Sequence, residues 1–213
     1  MHKYVQEAAK GNPQPIKLIR TWMRFCRFYK LKSELVWAFS GAEAIITIQD
    51  KLKAEFGNYK VLDIELRLEM PTEGKWSQVF LGYIDIVLEL EDGRIVIADF
   101  KSCKSHWAFN KFRDKFKDYQ LTLYKNFYSK QCNVDPSRID TYFITVQRSR
   151  SPSKALSFTR VTSGPKKVAN AVAWMETALE AINTETFYKN RASCLKYGEN
   201  YPCDLLNTEH CPR

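Results

Sequence analysis

Two strand-like segments joined by an acidic turn constrain the fold of this chain most strongly. They occupy residues 82–102, with the sequence GYIDIVLELEDGRIVIADFKS. A three-residue loop at 91–93, with Gly93 in the left-handed conformation that closes such loops, would pair Leu90 with Arg94. The segment therefore predicts a β-hairpin with a defined register.

This register divides the hairpin into two faces. It puts Asp85 directly opposite Asp99, and because side chains alternate along a strand, Lys101 shares their face. The other face is then an uninterrupted apolar surface, formed by Ile84, Ile86, Leu88, Val96, Ala98 and Phe100. A two-residue loop of Asp92 and Gly93 would put the aspartates on opposite faces, so the hydrophobic pattern favours the longer loop.

The two facing aspartates repel each other. Like charges directly opposite each other destabilise a strand pair unless a cation lies between them. A divalent metal ion would resolve the conflict between Asp85 and Asp99. The alternative is a wet sheet edge at which Lys101 neutralises one of the two acids.

The segments around the hairpin indicate alternating helices and strands. In chain order they are two helices within 15–57, a strand at 59–70, the hairpin, a helical segment at 106–132, strands at 140–148 and 154–162, and a helix from Pro165. The first three strands should form an antiparallel meander. This order predicts a mixed α/β fold, with a central sheet of about five strands flanked by helices.

With 213 residues the chain is long enough for one domain with a substantial core. We expect a single domain over residues 1–213. Its parts are N-terminal helices at 15–57, a sheet with an inserted helix at 59–162, and a C-terminal helix and cysteine-containing tail at 165–213.

The charge balance indicates a polyanionic partner. The chain has 33 Lys and Arg residues against 24 Asp and Glu residues, for a net charge of +9. Nucleic acid or an anionic membrane surface would suit this charge. The sequence has no long apolar run and no secretory type of N-terminus, so we expect an intracellular protein without a membrane span.

The hairpin motif resembles the core of the PD-(D/E)XK nuclease superfamily. That core is an aspartate, a hairpin and then Asp-x-Lys; here Asp85 is followed by DFK at 99–101. Gln120 and Tyr124, in DYQLTLYKNF, resemble the Gln-x-x-x-Tyr motif of the RecB-like exonuclease branch, which includes CRISPR-adaptation and phage exonucleases. The resemblance implies a restriction-endonuclease-like core.

The resemblance also implies a Mg²⁺- or Mn²⁺-dependent deoxyribonuclease, a hydrolase acting on phosphodiester bonds. In it Asp85, Asp99 and the backbone carbonyl of Phe100 would bind the metal, and oxygen ligands suit these ions. Lys101 would orient the attacking water or help to deprotonate it. Gln120 and Tyr124 would hold DNA or brace the site, although packing of Tyr124 in the core is an equal alternative.

Two glutamates are further candidate ligands. RecB-like proteins usually carry a histidine in a Gly-x-x-x-His setting on the first core helix, and counting from Gly41 gives Ile45 here. Glu43 would replace that histidine, unless it is an ordinary exposed helix residue. Glu65, in the strand before the hairpin, could reach the site or pair with neighbours at the surface.

Basic residues after the Asp-x-Lys motif are candidates for contacts with DNA phosphates. They are Lys104, Lys111, Arg113, Lys115 and Lys117, with Arg148 and Arg150 in a second cationic loop.

Four cysteines have the one-plus-three distribution of RecB-like nucleases that hold a 4Fe-4S cluster. They are Cys26, Cys194, Cys203 and Cys211. The alternative is that Cys26 is a buried helix residue and the others are small hydrophobic residues.

These features favour a metal-dependent DNA exonuclease of replication, recombination, repair or phage DNA processing. One alternative is a DNA-binding module with a decayed site. Another is a nuclease subunit that acts only with a partner from recombination, replication or a CRISPR-type complex.

Overall fold

A computed structural model describes residues 2–29, 35–76, 78–103, 115–147, 155–186 and 208–209. Its helices are α1 (His2–Ala9), α2 (Pro15–Phe28), α3 (Leu35–Phe56), α4 (Lys115–Gln131) and α5 (Pro165–Asn183), with a 3₁₀ turn at Pro136–Arg138. Its strands are β1 (Tyr59–Pro71), β2 (Val79–Leu90), β3 (Ile95–Cys103), β4 (Ile139–Gln147) and β5 (Leu156–Val161).

The strands form one mixed sheet in the order β1-β2-β3-β4-β5. The first three strands are an antiparallel meander, as predicted. β4 then runs parallel to β3, and β5 is antiparallel to β4. A parallel pair needs a long crossover, and α4 lies within the connection from β3 to β4. This architecture confirms the predicted mixed α/β fold.

Helices cover both faces of the sheet. On one face α1, α2 and α3 contribute apolar side chains to a core cluster that includes Ile86, Ala98 and Phe100. On the other face α4 and α5 pack on a second cluster that includes Ile97 and Phe143. The central strands are therefore buried on both sides.

The helices differ from the predicted ones mainly at the N-terminus. α1 lies outside the segment 15–57 to which the sequence analysis assigned helices, and its residues Val5, Ala8 and Ala9 are buried in the first cluster. Within the described ranges, no helix has both the length and the apolar character needed to cross a membrane.

The hairpin has the predicted three-residue loop. The Leu90 amide donates to the Arg94 carbonyl at 2.9 Å, and the Gly93 amide donates to the Leu90 carbonyl at 2.9 Å. Gly93 has φ +78°, the left-handed conformation that this loop requires. Pairing then runs from Glu89–Ile95 back to Ile86–Ala98.

The prediction that Ile84 and Ile86 share one face is wrong. Ile86 is buried towards α1 and α3, whereas Ile84 is buried in the second cluster together with Leu68. The reason lies in β1, where Glu65 has φ +54° and interrupts the alternation of side chains. The paired β2 strand changes faces at the same level, at Asp85.

Candidate active site

The two strands of the central hairpin separate into a fork at the end that lies away from the loop. The pairing of β2 with β3 stops at Ile86–Ala98, although both strands continue for several residues. Asp85 and Asp99 are the next residues on the two strands, so they lie at the base of this fork. A carboxylate there can reach backbone groups that a continuous ladder would have occupied.

A third acid extends the pair into a row. The pairs Ile64–Ile86 and Leu66–Ile84 flank Glu65 and Asp85, which places Glu65 opposite Asp85. Glu65, Asp85 and Asp99 therefore occupy one level across β1, β2 and β3, and we call them the carboxylate row. Such a row of like charges is unfavourable unless donors or cations compensate it.

Asp85 is stabilised by two donors, neither of which is charged. Its Oδ2 accepts a 2.6 Å hydrogen bond from the Phe100 amide, and its Oδ1 accepts one of 3.2 Å from Gln6 Nε2. Burial raises the pKa of Asp85, the Phe100 hydrogen bond lowers it, the nearby Glu65 raises it and Lys101 lowers it. The net shift is upward, so ionised Asp85 carries a free-energy cost in the folded protein.

Asp99 has a charged partner. It is only 4 % exposed, and its Oδ2 lies 2.7 Å from Lys101 Nζ. Gln120 Nε2 donates to Asp99 Oδ1 at 3.2 Å, and Lys101 Nζ donates to Gln120 Oε1 at 3.3 Å. The alternative prediction of a solvated sheet edge is therefore wrong for Asp99, which is buried, although Lys101 does neutralise this acid.

Gln120 and Tyr124 lie on α4, one turn apart. Gln120 Nε2 also donates to the Tyr124 hydroxyl at 3.1 Å. The Tyr124 ring is buried in the second core cluster and lies against Gly82, where an added Cβ would stand 2.8 Å from Tyr124 Cε1. Tyr124 thus packs in the core with its ring and faces the site with its hydroxyl.

Glu65 is joined to Asp85 by Gln6, a residue that the sequence patterns did not predict at the site. Glu65 is exposed, and its Oε1 accepts a 2.7 Å hydrogen bond from Gln6 Nε2. Gln6 belongs to α1 and is completely buried. The spacing of apolar residues in HKYVQEAA could have indicated α1, but no local pattern shows that Gln6 contacts strands about 60 and 80 residues later.

The structure does not bring Glu43 to the row. Glu43 is half-buried on α3, and among the described contacts none joins its side chain to Glu65, Asp85 or Asp99. Its carbonyl accepts the Thr47 hydroxyl at 2.8 Å. The described residue that approaches the row from the N-terminal helices is Gln6 instead.

Most predicted DNA-binding and cluster-binding residues lie outside the described residues. These are Lys104, Lys111, Arg113, Arg148, Arg150, Cys194, Cys203 and Cys211. Lys115 begins α4, but its side chain is not described. Lys117 is half-buried on α4 one turn before Gln120, and Cys26 is buried on α2.

The oxygen atoms at the fork suit a hard divalent cation. Asp85 and Asp99 supply carboxylates, and Gln6 Oε1 is a buried oxygen with no hydrogen-bond partner among the described residues. In the described ranges, no three acidic, His or Cys side chains converge closely enough to hold an ion by themselves. A cation here would therefore take further ligands from neutral oxygens, such as the Phe100 carbonyl, or from water.

The chain is similar to two solved structures and matches one family model. No curated protein matches the chain. The solved structure of SSO0001 is 17% identical over 83% of this chain and 74% of that chain, with a TM-score of 0.38. A structure named "Putative exonuclease", from Eubacterium rectale, is 13% identical over 84% of this chain and 64% of that chain, with a TM-score of 0.48. A family model matches residues 23–212. The chain therefore belongs to the PD-(D/E)XK nuclease superfamily.

Proposed function

We propose that this chain is a Mg²⁺- or Mn²⁺-dependent deoxyribonuclease whose reactive centre lies at the fork. Superfamily membership implies a nuclease that acts on nucleic acid, and members typically use divalent metals. The observation that carries the proposal is the buried Asp99, paired with the partly exposed Lys101 and next to Asp85, at the point where the two strands separate.

The chemistry of each side chain at the fork supports a separate role in this proposal. Asp85, Asp99 and the Phe100 carbonyl would hold the ion, which when bound supplies Lewis acidity and an activated water. Lys101 is about one-quarter exposed, so its ammonium can orient a water or a phosphate oxygen from the open side. Its 2.7 Å contact with Asp99 fixes it next to the ligand carboxylate.

The α4 side of the fork positions these groups. Gln120 contacts Asp99, Lys101 and the Tyr124 hydroxyl, so one amide holds the acid and the base at fixed positions. Lys117 lies on the same helix, towards its N-terminal end, and the net charge of +9 suits a polyanionic substrate. We therefore assign this side to the DNA strand that approaches the fork.

The finer proposal is an exonuclease, supported by the resemblance of Gln120 and Tyr124 to the RecB-like motif. Linear duplex DNA labelled at one end, and covalently closed circular DNA, should be incubated with the protein and Mg²⁺ or Mn²⁺. We expect stepwise shortening of the linear substrate and an intact circle. Rapid cutting of the circle would contradict the exonuclease and leave an endonuclease.

A matched pair of lysine variants tests the site in the same assay. Lys101→Ala should lose cleavage. Lys130→Ala, on the last turn of α4 and paired with Glu73 at 2.9 Å, should cleave like the wild type. Equal loss in both variants would contradict the role of Lys101.

The decayed DNA-binding module is the second candidate, because Ile45 is buried where RecB-like proteins usually carry a histidine. Salt-sensitive DNA binding without cleavage under any divalent metal would select it. Cleavage that begins only when a recombination, replication or CRISPR-type partner is added would select the complex-dependent nuclease.

A further inference from the structure

The N-terminal helix α1 places a glutamine against the carboxylate row, although α1 lies outside the residues that the family model matches. The family match begins at residue 23, whereas Gln6 lies in α1, His2–Ala9. Val5, Ala8 and Ala9 anchor α1 in the core and place Gln6 against the row. Gln6 is completely buried although it is polar, which is unusual for a glutamine.

Gln6 bridges two carboxylates through a single nitrogen. Its Nε2 donates to Glu65 Oε1 at 2.7 Å and to Asp85 Oδ1 at 3.2 Å. Its Oε1 is buried and, among the described residues, has no hydrogen-bond partner. A bridging role explains the nitrogen, but it leaves the buried oxygen unexplained, and such an atom is costly to bury.

Among the described residues, no salt bridge joins a basic side chain to Glu65 or Asp85, although Lys101 lies near enough to lower the pKa of Asp85. Lys101 is paired with Asp99, and Arg67 is paired with Glu69 at 2.7 Å. In the described ranges, the side-chain donor that Glu65 and Asp85 share is the neutral amide of Gln6. Two opposed carboxylates with a neutral amide between them suit a divalent cation in charge and in ligand type.

We propose that Gln6, Glu65 and Asp85 form a divalent-cation site in which Gln6 supplies a neutral oxygen ligand. A half-turn of the amide exchanges Oε1 and Nε2, which are nearly equal in size, so the oxygen can face the two carboxylates. The site assigns a function to the exposed Glu65 and to the docking of α1, and the cation would replace the two hydrogen bonds that Gln6 Nε2 now donates. This proposal rests on the proposed function only because DNA cleavage by the nuclease would need the cation.

The test is Mn²⁺ binding to the full chain without DNA, measured by isothermal titration calorimetry. Gln6→Leu keeps the approximate volume but removes both polar atoms, and we expect Mn²⁺ affinity at this site to fall about tenfold or more. Gln49→Leu, on the exposed face of α3, is the matched control and should bind like the wild type. Unchanged Mn²⁺ affinity in Gln6→Leu would overturn the proposal.

A second variant keeps the test decisive if Gln6→Leu does not fold. Gln6→Glu places a third carboxylate beside Glu65 and Asp85, so its melting temperature without metal should fall and its rise on adding Mn²⁺ should exceed that of the wild type. A rise equal to that of the wild type would count against a cation at this position.

Cleavage assays separate this proposal from the proposed function. If Mn²⁺ binding depends on Gln6 but DNA is not cut, the site stands and the nuclease assignment fails. If DNA is cut and Mn²⁺ affinity does not depend on Gln6, the nuclease stands and this site fails.

Discussion

The two hairpin aspartates lie next to each other but differ in their charge environment. Asp99 is held by Lys101 at 2.7 Å, whereas Asp85 is bonded to the Phe100 amide and to Gln6. Burial accordingly raises the pKa of Asp85. An acid whose ionised form is destabilised by burial is expected at a cation site, because a bound cation would supply the compensating charge.

Removing the charge of Asp85 should stabilise the metal-free protein. We expect Asp85→Asn to increase the free energy of unfolding at neutral pH by about 0.5–2 kcal/mol while abolishing cleavage, the usual trade-off at a functional site. Urea unfolding in the presence of EDTA measures this. Asp92→Asn is the control with the opposite sign, because hydrogen bonds from Arg94 lower the pKa of Asp92 and stabilise its charge.

The pH dependence of this difference follows from the direction of the shift. Asp85 has a raised pKa in the folded state, so its cost is complete above that pKa and is relieved as the pH falls through it towards the ordinary aspartate value near 3.8. The advantage of Asp85→Asn over the wild type should therefore shrink in acid. An advantage that grows in acid would contradict the assignment.

Gln120 should matter for activity more than for stability. Gln120→Ala removes the amide that joins Asp99, Lys101 and Tyr124, and we expect cleavage to fall by about 10- to 100-fold, as for other residues that orient ligands. Gln131→Ala, on the same helix, is the control. Its amide contacts the backbone of Arg67 and Glu69, so its loss should lower stability and leave cleavage unchanged.

Sequence patterns predicted the residues of the fork that lie close together along the chain. One hairpin register predicted that Asp85, Asp99 and Lys101 lie near one another, although not the change of faces at Asp85, and Gln120 was predicted from a resemblance to a family motif. Gln6 was not predicted, because its contacts to Glu65 and Asp85 depend on how α1 packs on the sheet. Glu43 was expected at the site because of its place in a helix motif, yet the described contacts do not bring it there.

At the scale of elements, the fork depends on one close contact between a strand and a helix. Gly82 of β2 lies against the ring of Tyr124 on α4, with space for no side chain. The hydroxyl of Tyr124 in turn accepts a hydrogen bond from Gln120, whose amide also donates to Asp99. At Glu65 and Asp85 the alternation of side chains between the two faces of the sheet is interrupted. Sequence periodicity could not predict this interruption, because a glutamate in the left-handed conformation is rare.

Gly82→Ala should disturb this contact. The new methyl group would lie 2.8 Å from Tyr124 Cε1 and 3.2 Å from Phe80 Cε1, so we expect a loss of about 1–3 kcal/mol in stability together with reduced cleavage. Thermal unfolding and cleavage rates measure the two effects. Tyr124→Leu in the same chain should recover part of the stability, and a purely additive double variant would contradict the contact.

Gly164→Ala is the control for the added methyl group. Apart from its chain neighbours, no described residue lies within 4 Å of a Cβ placed at Gly164, so this variant should show no steric loss. A drop in cleavage equal to that of Gly82→Ala would show that the effect is not specific to the fork.

At the scale of the whole molecule, helices on both faces of the sheet bury its central strands, and the fork holds the buried acid Asp99. The order of elements predicted the five-stranded mixed sheet, because the strand-like segments are bounded by turn signals. Composition predicted a polyanionic partner from the charge of +9. Neither could predict that α1 would contact Glu65 and Asp85 through Gln6, since tertiary packing alone determines where a short helix docks.

The most direct test of the central claim is the rate of DNA cleavage at increasing Mg²⁺ or Mn²⁺, for the wild type beside Asp99→Ala. We expect no cleavage in EDTA, a metal-dependent rate in the wild type, and a rate at least about 100-fold lower in the variant. The variant should remain folded by circular dichroism. Equal rates in the two proteins, or cleavage that is unaffected by EDTA, would contradict the account.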